Sequence, residues 1–168
     1  MTEEQQQTIF KEWVGNHSKV IFKIANAYTN NAMDKDDLFQ DIAIQIWRSL
    51  PSFKAQSSVI TWIYRIALNT ALNWVRKEKG KKDTEPLEKV EHVLQEPEEN
   101  LDEQLKWLYR EIYSLGLIDR CLVLLLLDNY SYKEMSAILG ISESNVGVKI
   151  NRIKKYLVEK SKKQHYGV

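Results

Sequence analysis

Apolar residues recur at helical spacing along almost the whole chain, and very little interrupts them. The 168 residues include only six glycines and three prolines. No segment alternates apolar and polar residues as a half-buried strand must. A chain patterned this way has to bury its apolar stripes by packing helix on helix, so the expected fold class is all-α. Ile9, Trp13, Val20, Ile24 and Ala27 mark a first helical face, and Leu38, Ile42, Ile46 and Leu50 mark a second. Pro51 ends that second helix, because proline has no N–H to donate and disfavours helical backbone in its predecessor. Ser57 or Ser58 can cap a third helix that runs to about Lys79, where Gly80 is expected to stop it.

Past that point the composition changes. Between Asp83 and Gln104 lie nine acids (Asp83, Glu85, Glu88, Glu91, Glu96, Glu98, Glu99, Asp102 and Glu103) against a single base, Lys89, with Pro86 and Pro97 among them. So little of this segment can be buried that residues 81–104 read as a flexible acidic linker, a solvated acidic loop being the plainer alternative. The linker would join two small helical domains, residues 5–80 and 105–164. In the second, helical spacing predicts segments at about 105–113, 117–129, 132–139 and 142–162.

A formal net charge of +1 hides strong segregation. From Arg65 to Lys82 there are six bases (Arg65, Arg76, Lys77, Lys79, Lys81, Lys82) and one acid, Glu78. From Ser142 to Lys163 there are seven bases (Lys149, Arg152, Lys154, Lys155, Lys160, Lys162, Lys163) and two acids, Glu143 and Glu159. Two basic patches on either side of an acidic segment suit contact with nucleic acid at two separate places.

Other classes fit less well. One cysteine, Cys121, forbids a disulfide within the chain and points to a reducing cytoplasm. The acidic, polar start MTEEQQQTIFKEW is unlike a signal peptide. The most apolar run, Leu122 to Leu127, is far short of the roughly 18 residues a membrane span needs, so no membrane insertion is expected. His17, His92 and His165 are scattered, which suggests no metal site. No nucleophile, acid–base pair or cofactor motif converges, so the chain reads as a non-enzyme without catalytic residues or cofactors.

SYKEMSAILGISESNVGVKINRIKKYL, residues 131–157, has the form of a helix-turn-helix. Ser131 and Glu134 form a capping box, and Met135, Ile138 and Leu139 an apolar face. Ser136 is small where two helices cross, Gly140 permits a sharp turn, and Ser142 caps the next helix. There Val146, Ile150, Ile153 and Leu157 make one buried stripe. Glu143, Ser144, Asn145, Val148, Lys149, Arg152 and Lys155 remain to face a major groove, where amides and cations reach base edges and phosphates. A helical hairpin with solvated charge is the plainer reading. Gly147 costs roughly 1 kcal/mol in a helix interior.

The third helix carries a different stripe. At about 100° per residue, Trp62, Arg65, Asn69, Asn73 and Arg76 fall within an arc of about 80°. Ile60, Ile63, Ile66, Ala67, Thr70 and Trp74 point broadly the other way. The preceding loop adds Phe53, Lys54 and Gln56. Arginines, amides and partly exposed aromatics suit unpaired bases better than an intact groove. Phe53 and Trp62 can also be read simply as core.

Taken together, these residues resemble bacterial RNA polymerase sigma factors of the two-domain extracytoplasmic function (ECF) type. Asp36, Asp37, Leu38, Gln40, Asp41 and Trp47 match the family's polymerase-binding helix. Trp62, Tyr64, Arg65, Ile66, Ala67 and Asn69 match its promoter-melting helix. The helix-turn-helix is similar to the part that reads the minus-35 element. The resemblance implies that the chain binds core RNA polymerase, with contacts to its beta-prime and beta subunits, the acidic helix meeting beta-prime. It implies that Phe53, Lys54, Gln56, Trp62, Arg65, Asn69, Asn73 and Arg76 hold the melted non-template strand of the minus-10 element. It implies binding to duplex promoter DNA by residues 142–155, and restraint by an anti-sigma factor around Trp47 and Trp62. A dimeric helix-turn-helix regulator acting without polymerase is the main alternative, and a helical adaptor binding only proteins is a third.

Overall fold

The computed structural model describes residues 1–82 and 102–166. Among the described residues every regular element is helical, and the chain separates into two compact units, Met1–Asp102 and Glu103–Val168. The all-α expectation holds.

The first unit contains α1 (Glu3–Asn16), α2 (Ser18–Tyr28), α3 (Ala32–Ser49), a 3-10 turn (Leu50–Ser52) and α4 (Val59–Lys82). The first apolar face of the sequence is shared by two helices, because the chain leaves helical geometry at His17 (φ −117°, ψ 17°). Gly15 and Asn16 are weak helix formers at that junction, and the His17 N–H still reaches the Trp13 carbonyl at 3.1 Å. Thr2 starts α1 through a capping box with Gln5, and Asn31 starts α3 by accepting from the Asp34 N–H at 2.7 Å. Helix α3 ends just before Pro51, which sits in the 3-10 turn. Ser58 caps α4, its Oγ accepting from the Thr61 N–H at 3.3 Å.

The core lies where α2, α3 and α4 meet. Ile21, Ile24, Leu38, Ile42, Ile46, Ile63, Tyr64 and Ala67 are fully buried there. Burial on this scale stabilises a side chain by about 1.5–3 kcal/mol. Helix α1 has no buried residue and lies against this core through the aromatic contacts described below. Gly80 does not stop α4, which continues to Lys82. A helical glycine costs about 1 kcal/mol, and strong helix formers on both sides, Lys79, Lys81 and Lys82, absorb that cost.

The second unit contains α5 (Glu103–Ser114), α6 (Leu117–Leu127), α7 (Tyr132–Leu139) and α8 (Glu143–Tyr166). Helix α6 buries five consecutive residues, Cys121 to Leu125, so it is the central helix, apolar on every side. It ends with the apolar run at Leu127, two residues before the expected end at 129. Asn129 adopts φ 65°, the Tyr130 N–H bonds the Leu125 carbonyl at 3.1 Å, and the Asn129 N–H bonds Leu126 at 3.0 Å. This is a Schellman stop, with asparagine in the left-handed position that it tolerates better than most residues. The Tyr156 hydroxyl donates to Glu111 Oε2 at 3.1 Å and ties α8 to α5. The acidic segment expected as a linker lies outside the described residues from 83 to 101.

Candidate nucleic-acid interface

In the first unit the loop after the 3-10 turn closes against the start of α4 and forms an open pocket of about 330 Å³. Ser52, Phe53, Lys54, Gln56, Ser57, Trp62 and Arg65 line it. Its size falls near the lower end of the range for ligand pockets, roughly 300–1,000 Å³. Phe53 and Trp62 meet edge to face, with centroids 5.2 Å apart and planes at 67°. Behind them Trp13 of α1 contacts Phe53 at 5.0 Å and Trp62 at 5.8 Å, completing a three-ring cluster. Such pairs each contribute about 0.5–1.5 kcal/mol beyond the area they bury. The two half-buried rings therefore pack on α1 and also wall the pocket.

Ala55, between Lys54 and Gln56, takes φ 56°. A left-handed backbone costs a residue with a Cβ about 1–2 kcal/mol, and strained residues of this kind cluster at ligand clamps. Here the kink lies between two residues that line the pocket. Five of the residues expected to hold single-stranded DNA (Phe53, Lys54, Gln56, Trp62 and Arg65) come together at this one site. Asn69, Asn73 and Arg76 follow on the exposed side of α4. Ser52 and Ser57 belong to the same loop, 51–58, while Trp13 is new: only the tertiary fold brings residue 13 to residues 53 and 62.

On α3, Asp36, Asp37, Gln40 and Asp41 are exposed on one face. Leu38 is not part of that surface. It is fully buried in the core, so it fixes the helix rather than meeting a partner. Trp47 is half-buried, its ring edge to face with Phe10 at 5.4 Å and its carbonyl accepting from Gln6 Nε2 at 2.7 Å. Met33 and Ile44, exposed at 73% and 45%, stand four residues before Asp37 and seven after it, and so extend the acidic face with apolar area.

In the second unit the helix-turn-helix geometry follows the sequence closely. Ser131 and Glu134 make both bonds of the capping box, at 3.1 Å each, and Gly140 takes φ 72° at the turn. Ser142 Oγ accepts from the Asn145 N–H at 3.1 Å, while Val146, Ile150 and Ile153 are buried. Glu143, Ser144, Asn145, Val148, Arg152 and Lys155 are exposed, Val148 at 55%. Lys149 departs from this set. It lies on the shoulder of α8, half-buried, with Nζ 3.8 Å from Asp119 Oδ1 on α6.

The helix-turn-helix, beside a separate helical unit with an aromatic-walled pocket, defines the class: a helical DNA-binding protein. Residues 13–81 match the Sigma-70 region 2 family, and residues 105–157 match Sigma-70, region 4. The RNA polymerase sigma factor YlaC of Bacillus subtilis (strain 168) is 33% identical over 131 residues, covering 74% of this chain and 75% of its own. The ECF RNA polymerase sigma-E factor of Escherichia coli (strain K12) is 28% identical over 167 residues, covering 92% and 87%. Among solved structures, the sigma factor RpoE in complex with the anti-sigma factor NepR from Bartonella quintana shares the fold, with a TM-score of 0.69 at 21% identity over 89% of this chain and 96% of that one. CnrH in complex with the cytosolic domain of CnrY gives 0.63 at 20% identity over 91% and 87%. The chain belongs to the sigma factors of the ECF type. It binds core RNA polymerase, directs it to specific promoters and promotes their melting; the reading as a dimeric regulator independent of polymerase is not favoured.

Proposed function

We propose that these duties divide among three surfaces. Asp36, Asp37, Gln40 and Asp41, with Met33, Ile44 and the exposed part of Trp47, form the face that meets the beta-prime subunit. Phe53, Lys54, Gln56, Trp62 and Arg65 capture a base flipped from the non-template strand at the minus-10 element. Asn69, Asn73 and Arg76 then guide the strand along α4. Glu143, Ser144, Asn145, Val148, Arg152 and Lys155 read the minus-35 duplex. In domain terms, residues 5–80 bind polymerase and melt, residues 105–164 read duplex, and residues 81–104 link the two. The linker's carboxylates mimic a nucleic-acid backbone inside the polymerase.

The pocket carries this reading. It is concave and partly aromatic, and it holds two cations, an amide and two hydroxyls within reach of one planar ligand. Capturing a base already out of the stack draws the opening equilibrium forward by the few kcal/mol that unpairing costs. No bond is made or broken, so the chain acts by binding and not as an enzyme. No described helix is long and apolar enough to cross a membrane, and action on polymerase places the protein in the cytoplasm. An anti-sigma factor would cover the aromatic surfaces around Trp47 and Trp62.

The test compares Gln56→Ala and Arg65→Ala with the unaltered protein in reconstituted holoenzyme. Permanganate reactivity of minus-10 thymines reports melting, and co-elution with core polymerase reports assembly. Reduced melting with intact assembly is expected. Unchanged melting in both variants would remove the pocket from the mechanism.

A further inference from the structure

Asp119 has no role in the division of labour above, yet its surroundings are unusual. Its Oδ1 is buried and accepts no hydrogen bond. A buried carboxylate oxygen left in that state is costly and invites an explanation. The cation facing it is Lys149 Nζ at 3.8 Å, with the two side chains 30% exposed for the lysine and 34% for the aspartate. That distance is too long for a hydrogen bond and short enough for attraction between charges. Lys149 stands on α8 one turn after Asn145 and between the exposed Val148 and the buried Ile150, at the border of the surface that faces DNA. Asp119 stands in the first turn of α6, where a negative charge is favoured.

We propose that Asp119 is a positioning residue that sets how strongly the helix-turn-helix holds DNA, by competing with a DNA phosphate for the Lys149 ammonium. In the free protein Lys149 is drawn to the carboxylate. On DNA it turns outward to a phosphate and gives up its attraction to Asp119, a loss that salt screens. Rising salt weakens the phosphate contact and the competing attraction together, so this lysine adds less than one counterion to the salt dependence. The loose, unbonded contact makes the exchange easy. This inference rests on the proposed use of α8 as the duplex-reading helix.

Asp119→Asn keeps the shape of the side chain and removes the competitor. Each phosphate neutralised changes log K against log salt by a slope of about 0.9, so the variant should steepen the holoenzyme's promoter binding by up to about that amount. Between 50 and 200 mM salt its affinity should therefore fall by up to roughly 3.5-fold more than that of the unaltered protein. Adding Lys149→Met should remove that steepening, which a merely structural aspartate would not do. A thermal melt of Asp119→Asn checks that the unit stays folded. Arg152→Ala serves as the reference, and a shallower slope from it shows that α8 lies on DNA. If Arg152→Ala flattens the slope and Asp119→Asn leaves it unchanged, the competition is refuted while the role of α8 stands. If neither variant moves the slope, the assignment of α8 to the duplex fails first.

Discussion

Replacing Gly147 by alanine should stabilise the helix-turn-helix by about 1 kcal/mol, although glycine is commonly kept where space is short. Gly147 sits early in α8 with helical backbone on both sides. Its Cβ would meet Tyr132 Cε2 at 3.7 Å and Cδ2 at 3.8 Å, an ordinary contact with the edge of a ring. No clash therefore subtracts from the helix-propensity gain of about 0.8–1.0 kcal/mol. The same change at Gly140 has the opposite sign. Nothing lies within 4 Å of its Cβ, but the backbone there has φ +72°, which costs alanine about 1–2 kcal/mol. Amide hydrogen exchange at Val146 and Ile150 reads both effects in the full chain. Exchange should slow roughly five-fold in Gly147→Ala, the factor that about 1 kcal/mol gives, and quicken by at least as much in Gly140→Ala. If both variants shift the same way, or Gly147→Ala exchanges faster, the account of this turn is wrong.

The remaining predictions concern the core, the pocket and the linker. Ile42→Ala, at a fully buried position on α3, the helix that packs against both α2 and α4, should cost about 2–5 kcal/mol in urea unfolding followed by tryptophan fluorescence. Trp13→Leu removes two ring contacts; it should cost about 1–3 kcal/mol and reduce minus-10 permanganate reactivity, with core polymerase still bound. Changing the nine carboxylates between Asp83 and Gln104 to amides should weaken holoenzyme assembly or alter promoter escape in transcription assays. Unchanged transcription would dispose of the polyanion mimicry.

The elements that could be read from the sequence are those fixed by local chemistry. The Ser131–Glu134 box, the turn at Gly140 and the stripe Val146, Ile150 and Ile153 all depend on residues a few positions apart, and all appear where spacing puts them. The pocket was legible for a related reason. Its loop residues are contiguous, and Trp62 and Arg65 lie one turn apart on the next helix. Features set by distant contacts were not legible. The break at His17 leaves the apolar spacing on both sides intact, so periodicity does not reveal it. Leu38 was legible in one respect only: its spacing with Ile42, Ile46 and Leu50 puts it on the buried face, where it lies, while its match to the polymerase-binding motif suggested a surface role. Lys149 fits the exposed side of a helical wheel, and only the packing of α6 brings a carboxylate to 3.8 Å from its ammonium. Glycine misled at Gly80 because a glycine ends a helix only where the following chain leaves helical geometry.

Binding to purified bacterial core RNA polymerase tests the central claim most directly, comparing the unaltered protein with an Asp37→Lys/Asp41→Lys variant. Both carboxylates are exposed, so the fold should tolerate the change, which a thermal melt would check. The account predicts that the unaltered chain co-elutes with core polymerase and that the folded variant does not. Equal co-elution of the variant would contradict the acidic face as the docking surface. Failure of the unaltered chain to bind core polymerase, with a shift of duplex DNA as a dimer, would contradict the account as a whole.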